Sequence, residues 1–292
     1  IQAISMVRNN TLRFGFIYNN WVAPEGKRFY YGKSCDTETF AGVIVNEHKF
    51  GKLLVDAGLR YERTYLNEYG AFGIDGSGKG FGTVSPIMDE WRAPNLNATL
   101  GFSYLVSESM SLILHSALGS VSPREGTLNA AMQEPATESQ FKFDAGIRKK
   151  AGKIGELSLV GFSVSQKDAI YLTGKTATVN DRILELYGNR NQQRFGLETE
   201  WRSPQLWKNY HLFVNAVALK SQRDDNGTMV KDDEFPQFFA NSGVFGQWKN
   251  WDINILAKYV SSYESVRFVA SSATNPAKPQ PLGDFLTLDL IL

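Results

Sequence analysis

Glu198 and Glu200, separated by one residue, form the most suggestive pair of titratable groups in this 292-residue sequence. Two carboxylates on one face of a strand could act as acid and base or hold a cation. The same face carries Arg202, and neighbouring strands could supply Arg148 and Arg60, the latter followed by Glu62, so a network of opposite charges on a wet surface is the better reading. His48, His115 and His211 stand far apart, with no adjacent nucleophile and no i, i+4 partner. With Cys35 the single cysteine, neither a zinc motif nor an intrachain disulfide can be assembled. The glycine-rich DGSGKGFG at 75–82 neither follows a strand into a helix nor ends in GK before Ser or Thr, so it is read as an outer loop rather than a phosphate cradle. Asp224, Asp225 and Asn226, with Asp232, Asp233 and Glu234 behind them, lack EF-hand spacing and are read as a solvated acidic loop. No catalytic constellation, metal site or resident cofactor is expected.

Aromatic residues with nearby arginines carry the remaining chemistry. Trp21, Phe29, Tyr30, Tyr31, Phe72, Phe81 and Trp91 fall in expected long connections or at strand tops, close to Arg28, Arg92 and Arg124. Rigid rings beside a few placed charges suit an apolar or anionic ligand. Trp21, Arg28, Tyr30, Tyr31, Trp91, Arg92 and Arg124 are therefore the candidate ligand-binding set. An aromatic girdle at a membrane interface is the competing reading, strongest for Trp21, Tyr61, Tyr65, Trp201, Trp248 and Trp251 near strand ends.

The elements that must position these residues are strands. Helical periodicity is weak, whereas period-two alternation recurs throughout. Leu53, Val55, Ala57, Leu59 and Tyr61 oppose Asp56, Gly58, Arg60 and Glu62; Phe141, Phe143, Ala145 and Ile147 oppose Lys142, Asp144, Gly146 and Arg148. Phe195, Leu197, Thr199 and Trp201 oppose Gly196, Glu198, Glu200 and Arg202. The pattern gives about thirteen strands of about 9 to 11 residues, enough for tilted spans of a bilayer. Their centres lie near Ala3, Phe16, Val45, Leu59, Leu100, Leu114, Phe143, Phe162, Leu197, Val214, Val244, Ile255 and Leu288.

Short connections at 8–11, 51–52, 107–109, 151–155, 203–209 and 249–251 alternate with long ones at 23–39, 69–94, 121–139, 173–183, 222–234 and 270–283. All short turns then lie at one end of an up-and-down meander, as in outer-membrane barrels. The expected fold is all-β, an antiparallel transmembrane barrel. The odd count, with strands at both ends, points to an incomplete barrel over 1–292. Formal net charge is +1, which excludes a global field for nucleic acid. No run approaches the roughly 20 apolar residues of a spanning helix, which leaves membrane strands open. A soluble β-sandwich or lectin is the alternative class.

Several segments resemble the barrel domain of TonB-dependent outer-membrane receptors. They are 40–65 (FAGVIVNEHKFGKLLVDAGLRYERTY), 96–123 (LNATLGFSYLVSESMSLILHSALGSVSP), 138–148 (ESQFKFDAGIR), the QKDAI within 157–170, 187–201 (YGNRNQQRFGLETEW), 236–259 and 282–290. They follow family order over nearly the whole chain. The resemblance implies part of a barrel of about 22 strands, without the plug domain and the last strands. It further implies outer-membrane lipid around the wall, contact with TonB through a plug outside this chain, and import of a scarce, bulky ligand. A ferric siderophore leads; haem, cobalamin and glycans stay open, as does a surface lipoprotein partner. Arg60, Glu62, Arg148, Glu198 and Glu200 would face the plug. A passive porin is the competing function.

Overall fold

A computed structural model describes residues 2–23, 35–69, 79–80, 87–124, 127–179, 182–206, 209–265 and 280–291. The strands are β1 (Gln2–Val7), β2 (Asn10–Ala23), β3 (Cys35–Phe50), β4 (Leu53–Tyr69), β5 (Lys79–Gly80), β6 (Ile87–Trp91), β7 (Asn95–Ser107), β8 (Met110–Val121) and β9 (Glu138–Ala151). The remainder are β10 (Gly155–Val179), β11 (Arg182–Arg202), β12 (Tyr210–Asp225), β13 (Thr228–Lys231), β14 (Phe238–Trp248), β15 (Trp251–Val260), β16 (Tyr263–Ser265), β17 (Gln280–Leu282) and β18 (Phe285–Ile291). Thirteen of them form one meander, ordered β1-β2-β3-β4-β7-β8-β9-β10-β11-β12-β14-β15-β18. These coincide one for one with the strands expected from alternation. Every neighbouring pair on this path is antiparallel, and among the described residues β1 and β18 are each paired on one side only. β6 adds to β4, β13 adds to β12, and β5 lies parallel to β11.

The ladder registers keep the two faces chemically separate across the sheet. One row runs Phe14, Ile44, Leu59, Ala98, Leu118, Phe141. Displaced by one residue, another runs Arg60, Asn97, Gly119, Gln140, Gln166, Gln192, Arg223. A slip of one residue in any strand would put its polar set into the apolar face. The large apolar side chains of the first row remain 45–58% exposed. The buried apolar residues among those described form only a small set; one cluster, Cys35, Leu66 and Tyr69 with Ala23 and Ile87, sits near the loop ends of β3 and β4. A soluble β-sandwich would bury its apolar rows against a second sheet. Here that surface is left for a surrounding apolar phase, as the wall of a membrane barrel requires.

Turn chemistry fixes the registers at one end. Gly51 (φ 59°), Arg8 (φ 51°) and Lys249 (φ 56°) occupy the left-handed region in the turns joining β3 to β4, β1 to β2 and β14 to β15. Tight hairpins need this conformation, which glycine adopts at no steric cost. At the opposite end the strands outrun expectation. β10 and β11 contain 25 and 21 residues and pair as far as Val179 and Arg182, where a long loop at 173–183 was expected. Asp224 and Asp225, expected in a loop, pair with Met229 and Thr228 around an Asn226–Gly227 turn. Backbone pairing continues past the apolar band, because a hairpin in water needs only its ladder and turn while a span needs its lipid face.

Candidate functional site

The expected residues sort by face and height. Arg60 and Glu62, two apart on the polar face of β4, pair with each other. Arg148, Glu198 and Glu200 share the polar face near the short-turn end, where Ser158 lies between Arg148 and Glu200 in the ladder. Arg60 stands apart from them, since β7 and β8 separate β4 from β9, about 14 Å at strand spacing, and β7, β8, β9 and β10 separate it from β11, about 24 Å. The charges thus form local pairs rather than one network: Arg202 lies 3.9 Å from Glu200, and Lys150 lies 3.3 Å from Glu156. His115 Nδ1 lies 3.9 Å from Asp144, which also meets Lys142 at 3.2 Å.

The candidate ligand set divides between the faces. Trp91 projects on the apolar side, 4.9 Å from Tyr65 and 5.9 Å from Phe40 between ring centres, with the Arg63 guanidinium 5.0 Å above its ring. Tyr18 packs 5.1 Å from Phe40 in the same group. This belt has the composition of an interfacial girdle. Trp21 instead follows the phase of Ile17 and Arg13, on the polar face of β2. Trp201 lies on the apolar face and donates its indole N–H to the carbonyl of Ile154 at 2.9 Å. Arg92 is 7% exposed and pairs with Glu134 and, at 3.5 Å, with Glu90, joining the segment before β7 to the one before β9. Arg124 is exposed. Arg28, Tyr30, Tyr31, Phe29, Phe72 and Phe81 lie outside the described residues, as does the Trp248 side chain.

A second polar group, around the loop-end half of β11, was not among the expected sites. Arg190, Gln192 and Arg194 alternate along the polar face of β11, with Gln166 of β10 and Arg223 of β12 flanking Gln192 in the ladder. Arg190 reaches Glu234 at 3.2 Å; Arg223 reaches Asp232 at 3.3 Å and Glu234 at 3.2 Å. The Ser221 hydroxyl donates to Asp232, and both residues are fully buried. Residues 232–235 are therefore folded onto the polar face. The expected solvated acidic loop is corrected: three guanidinium contacts draw Asp232 and Glu234 inward, while Asp224 caps its own turn by accepting the Gly227 N–H at 2.6 Å. The two halves of the acidic run serve different purposes, and among the described residues no acidic or Cys/His group is arranged to hold a metal ion.

Residues 127–136 fold onto the same region from the other side. Asn189 clamps them: its Oδ1 accepts the Ala136 N–H at 2.8 Å, while its amide donates to the carbonyls of Ala136 at 3.0 Å and Asp168 at 2.7 Å. Asp168 sits at φ 56° in the bulge of β10, where an aspartate tolerates the left-handed region better than a branched residue. Leu128 bridges to Leu186, and the Tyr187 N–H donates to the Leu128 carbonyl at 2.9 Å. The signal for this group was present in period-two form, since Arg190 and Arg194 continue the phase of Glu198 and Glu200.

No protein-family model matches the chain, and no curated protein matches it. The fold, by contrast, recurs in solved structures. The FrpB iron transporter from Neisseria meningitidis aligns with 99% of this chain and 46% of its own at a TM-score of 0.65 and 14% identity. The copper transporter OprC aligns with 99% and 47% at 0.69 and 13% identity. The ferric yersiniabactin uptake receptor FyuA from Yersinia pestis aligns with 99% and 44% at 0.64 and 14% identity. All three are TonB-dependent receptors. The chain has the barrel-wall fold of these structures and spans about half the length of each.

Proposed function

We propose that this chain is part of the wall of a TonB-dependent receptor that imports a scarce, bulky ligand across an outer membrane. The observation that carries the reading is the thirteen-strand meander, one face apolar and exposed and the other polar, with residues 127–136 and 232–235 folded in at the loop end. In hydrocarbon every backbone polar group must find an internal partner, which an antiparallel wall supplies through its ladder. The apolar rows meet lipid, and the belt around Trp91, Tyr65 and Phe40 sits at the interface near the loop end. The polar face lines the lumen. There Arg60, Glu62, Arg148, Glu198 and Glu200 offer a plug domain exchangeable polar contacts, which a rearranging plug needs more than an oily seat. TonB acts on that plug.

By the likeness to iron and copper transporters, the ligand is a metal chelate, with a ferric siderophore the leading class. Trp21, Arg92 and Arg124 belong to the loop-end region where it would be met, and Arg28, Tyr30 and Tyr31, which lie outside the described residues, complete the proposed ligand set. The test is uptake of radiolabelled ferric chelates by cells expressing the full-length protein, with and without TonB. Import abolished by loss of TonB supports the reading. TonB-independent flux with steady conductance in planar bilayers would replace it with a passive channel.

A further inference from the structure

The apolar, lipid-facing side of the wall carries a polar notch at the short-turn end of β1, β2 and β3. One row on that side, Ala3, Phe14, Ile44 and Leu59, is apolar throughout. The next two rows toward the short turns begin Ser5, Leu12, Asn46 and Val7, Asn10, His48. Farther across the sheet the second of them returns to Val55, Phe102 and Leu114. The β1–β2 turn ends level with the notch, where the Lys49 N–H donates to the Asn9 carbonyl at 2.8 Å. A hollow of about 530 Å³ opens there, lined by the six residues of those two rows together with Arg8 and Asn9.

The donors around this hollow are accessible and have few partners. Arg8 is exposed in its turn at φ 51°, with no carboxylate in ion-pair reach among the described residues. Glu47, between Asn46 and His48, points to the polar face with its ladder neighbour Thr11. Asn46 donates to Asn10 Oδ1 at 2.7 Å, which leaves the Asn10 amide as a donor without a partner among the described residues. The His48 ring packs 4.0 Å from that of Phe50. Polar groups on a lipid-facing surface are costly unless paired, and the cost falls toward the headgroups. A guanidinium and neutral donors around a hollow whose inward wall is apolar match a phosphate that carries acyl chains.

We propose that this hollow seats the phosphodiester headgroup of a glycerophospholipid in the leaflet at the short-turn end. Arg8, the Asn10 amide and the His48 ring N–H donate to its phosphate oxygens, while Val7, Leu12 and Phe14 lie along its acyl chains. Its place in an outer membrane rests on the receptor reading; the preference for a phosphate-bearing lipid follows from the notch itself.

The test is native mass spectrometry of the full-length detergent-purified protein, with phosphatidylglycerol in one arm, diacylglycerol of the same chains in a second and inorganic phosphate in a third. Saturable retention of phosphatidylglycerol is expected, about tenfold or more tighter than that of diacylglycerol, as for a charge-assisted hydrogen bond. Arg8→Asn removes the charge and keeps a residue that tolerates the left-handed turn. His48→Leu removes a donor and suits a lipid-facing strand. Each should weaken retention about tenfold. Lys150→Gln, on the polar face, should leave it unchanged. Heat-modifiable migration reports folding of each variant; where R8N fails to fold, H48L decides. Equal retention of the two lipids, tighter binding of inorganic phosphate than of the phospholipid, or retention that the folded variants leave intact overturns the proposal. TonB-dependent import without selective phospholipid retention discards the lipid site and keeps the receptor; selective retention without TonB-dependent import does the reverse.

Discussion

The two ends of the polar face use the same residue types in opposite ways. Near the short turns, Lys150 and Glu156 pair with side chains 67% and 50% exposed, and Arg202 and Glu200 with 63% and 55%. Near the long connections, Asp232 is fully buried against Arg223, and Arg190 is nine-tenths buried against Glu234. Pairs of the first kind contribute about 0–1 kcal/mol, because water already solvates both partners. Breaking one of the second kind costs about 3–5 kcal/mol, because the surviving charge is left without a partner away from solvent. Formal charge along a strand therefore says little about where the chain has committed itself. Folded-in segments make the difference, by removing water from one end only.

The largest expected effect follows from Asp232→Ala, which strands Arg223 and removes the acceptor for Ser221. It should destabilise the loop-end half by about 3–5 kcal/mol, read as loss of hydrogen-exchange protection in β12, β13 and residues 232–235. Asn189→Ala removes three hydrogen bonds that hold residues 127–136 against the β10 bulge. At about 1 kcal/mol net for each, it should free that segment to limited proteolysis while leaving the turn-end hairpins protected. Arg92→Gln, which releases Glu134, should open the same segment by about 1–3 kcal/mol, visible as faster exchange at residues 127–136. Glu200→Gln should change thermal stability by less than about 1 kcal/mol. If E200Q matched D232A in effect, the contrast between the two ends would be false.

The face of each residue was legible because the pleat imposes a period of two wherever the ladder runs without a bulge. Leu59 and Arg60 fall on opposite sides of β4 in the structure as they do in the alternation. Trp21 shows the same rule applied too loosely: counting from Phe16 places it with Ile17 and Arg13, away from the girdle its type suggests. Position across the sheet was less legible. Arg60 matches Arg148 in chemistry, but strand order and ladder register set their separation, and both depend on turns and pairings distant in sequence. Burial was least legible. Nothing local distinguishes Asp232 from Asp225, and only the return of residues 232–235 onto Arg223 and Arg190 buries the first while the second stays in a hairpin. Strand length was misjudged for a related reason, since β10 and β11 continue after their apolar face ends.

The claim on which the account rests is that one face of this wall lies in lipid and the other in an aqueous lumen. Cysteines placed singly at Leu59 and at Arg60, in the full-length protein in intact outer membranes, test it directly through reaction with a membrane-impermeant maleimide. The account predicts labelling at position 60 and none at position 59. Labelling of both positions, or of 59 alone, would contradict it.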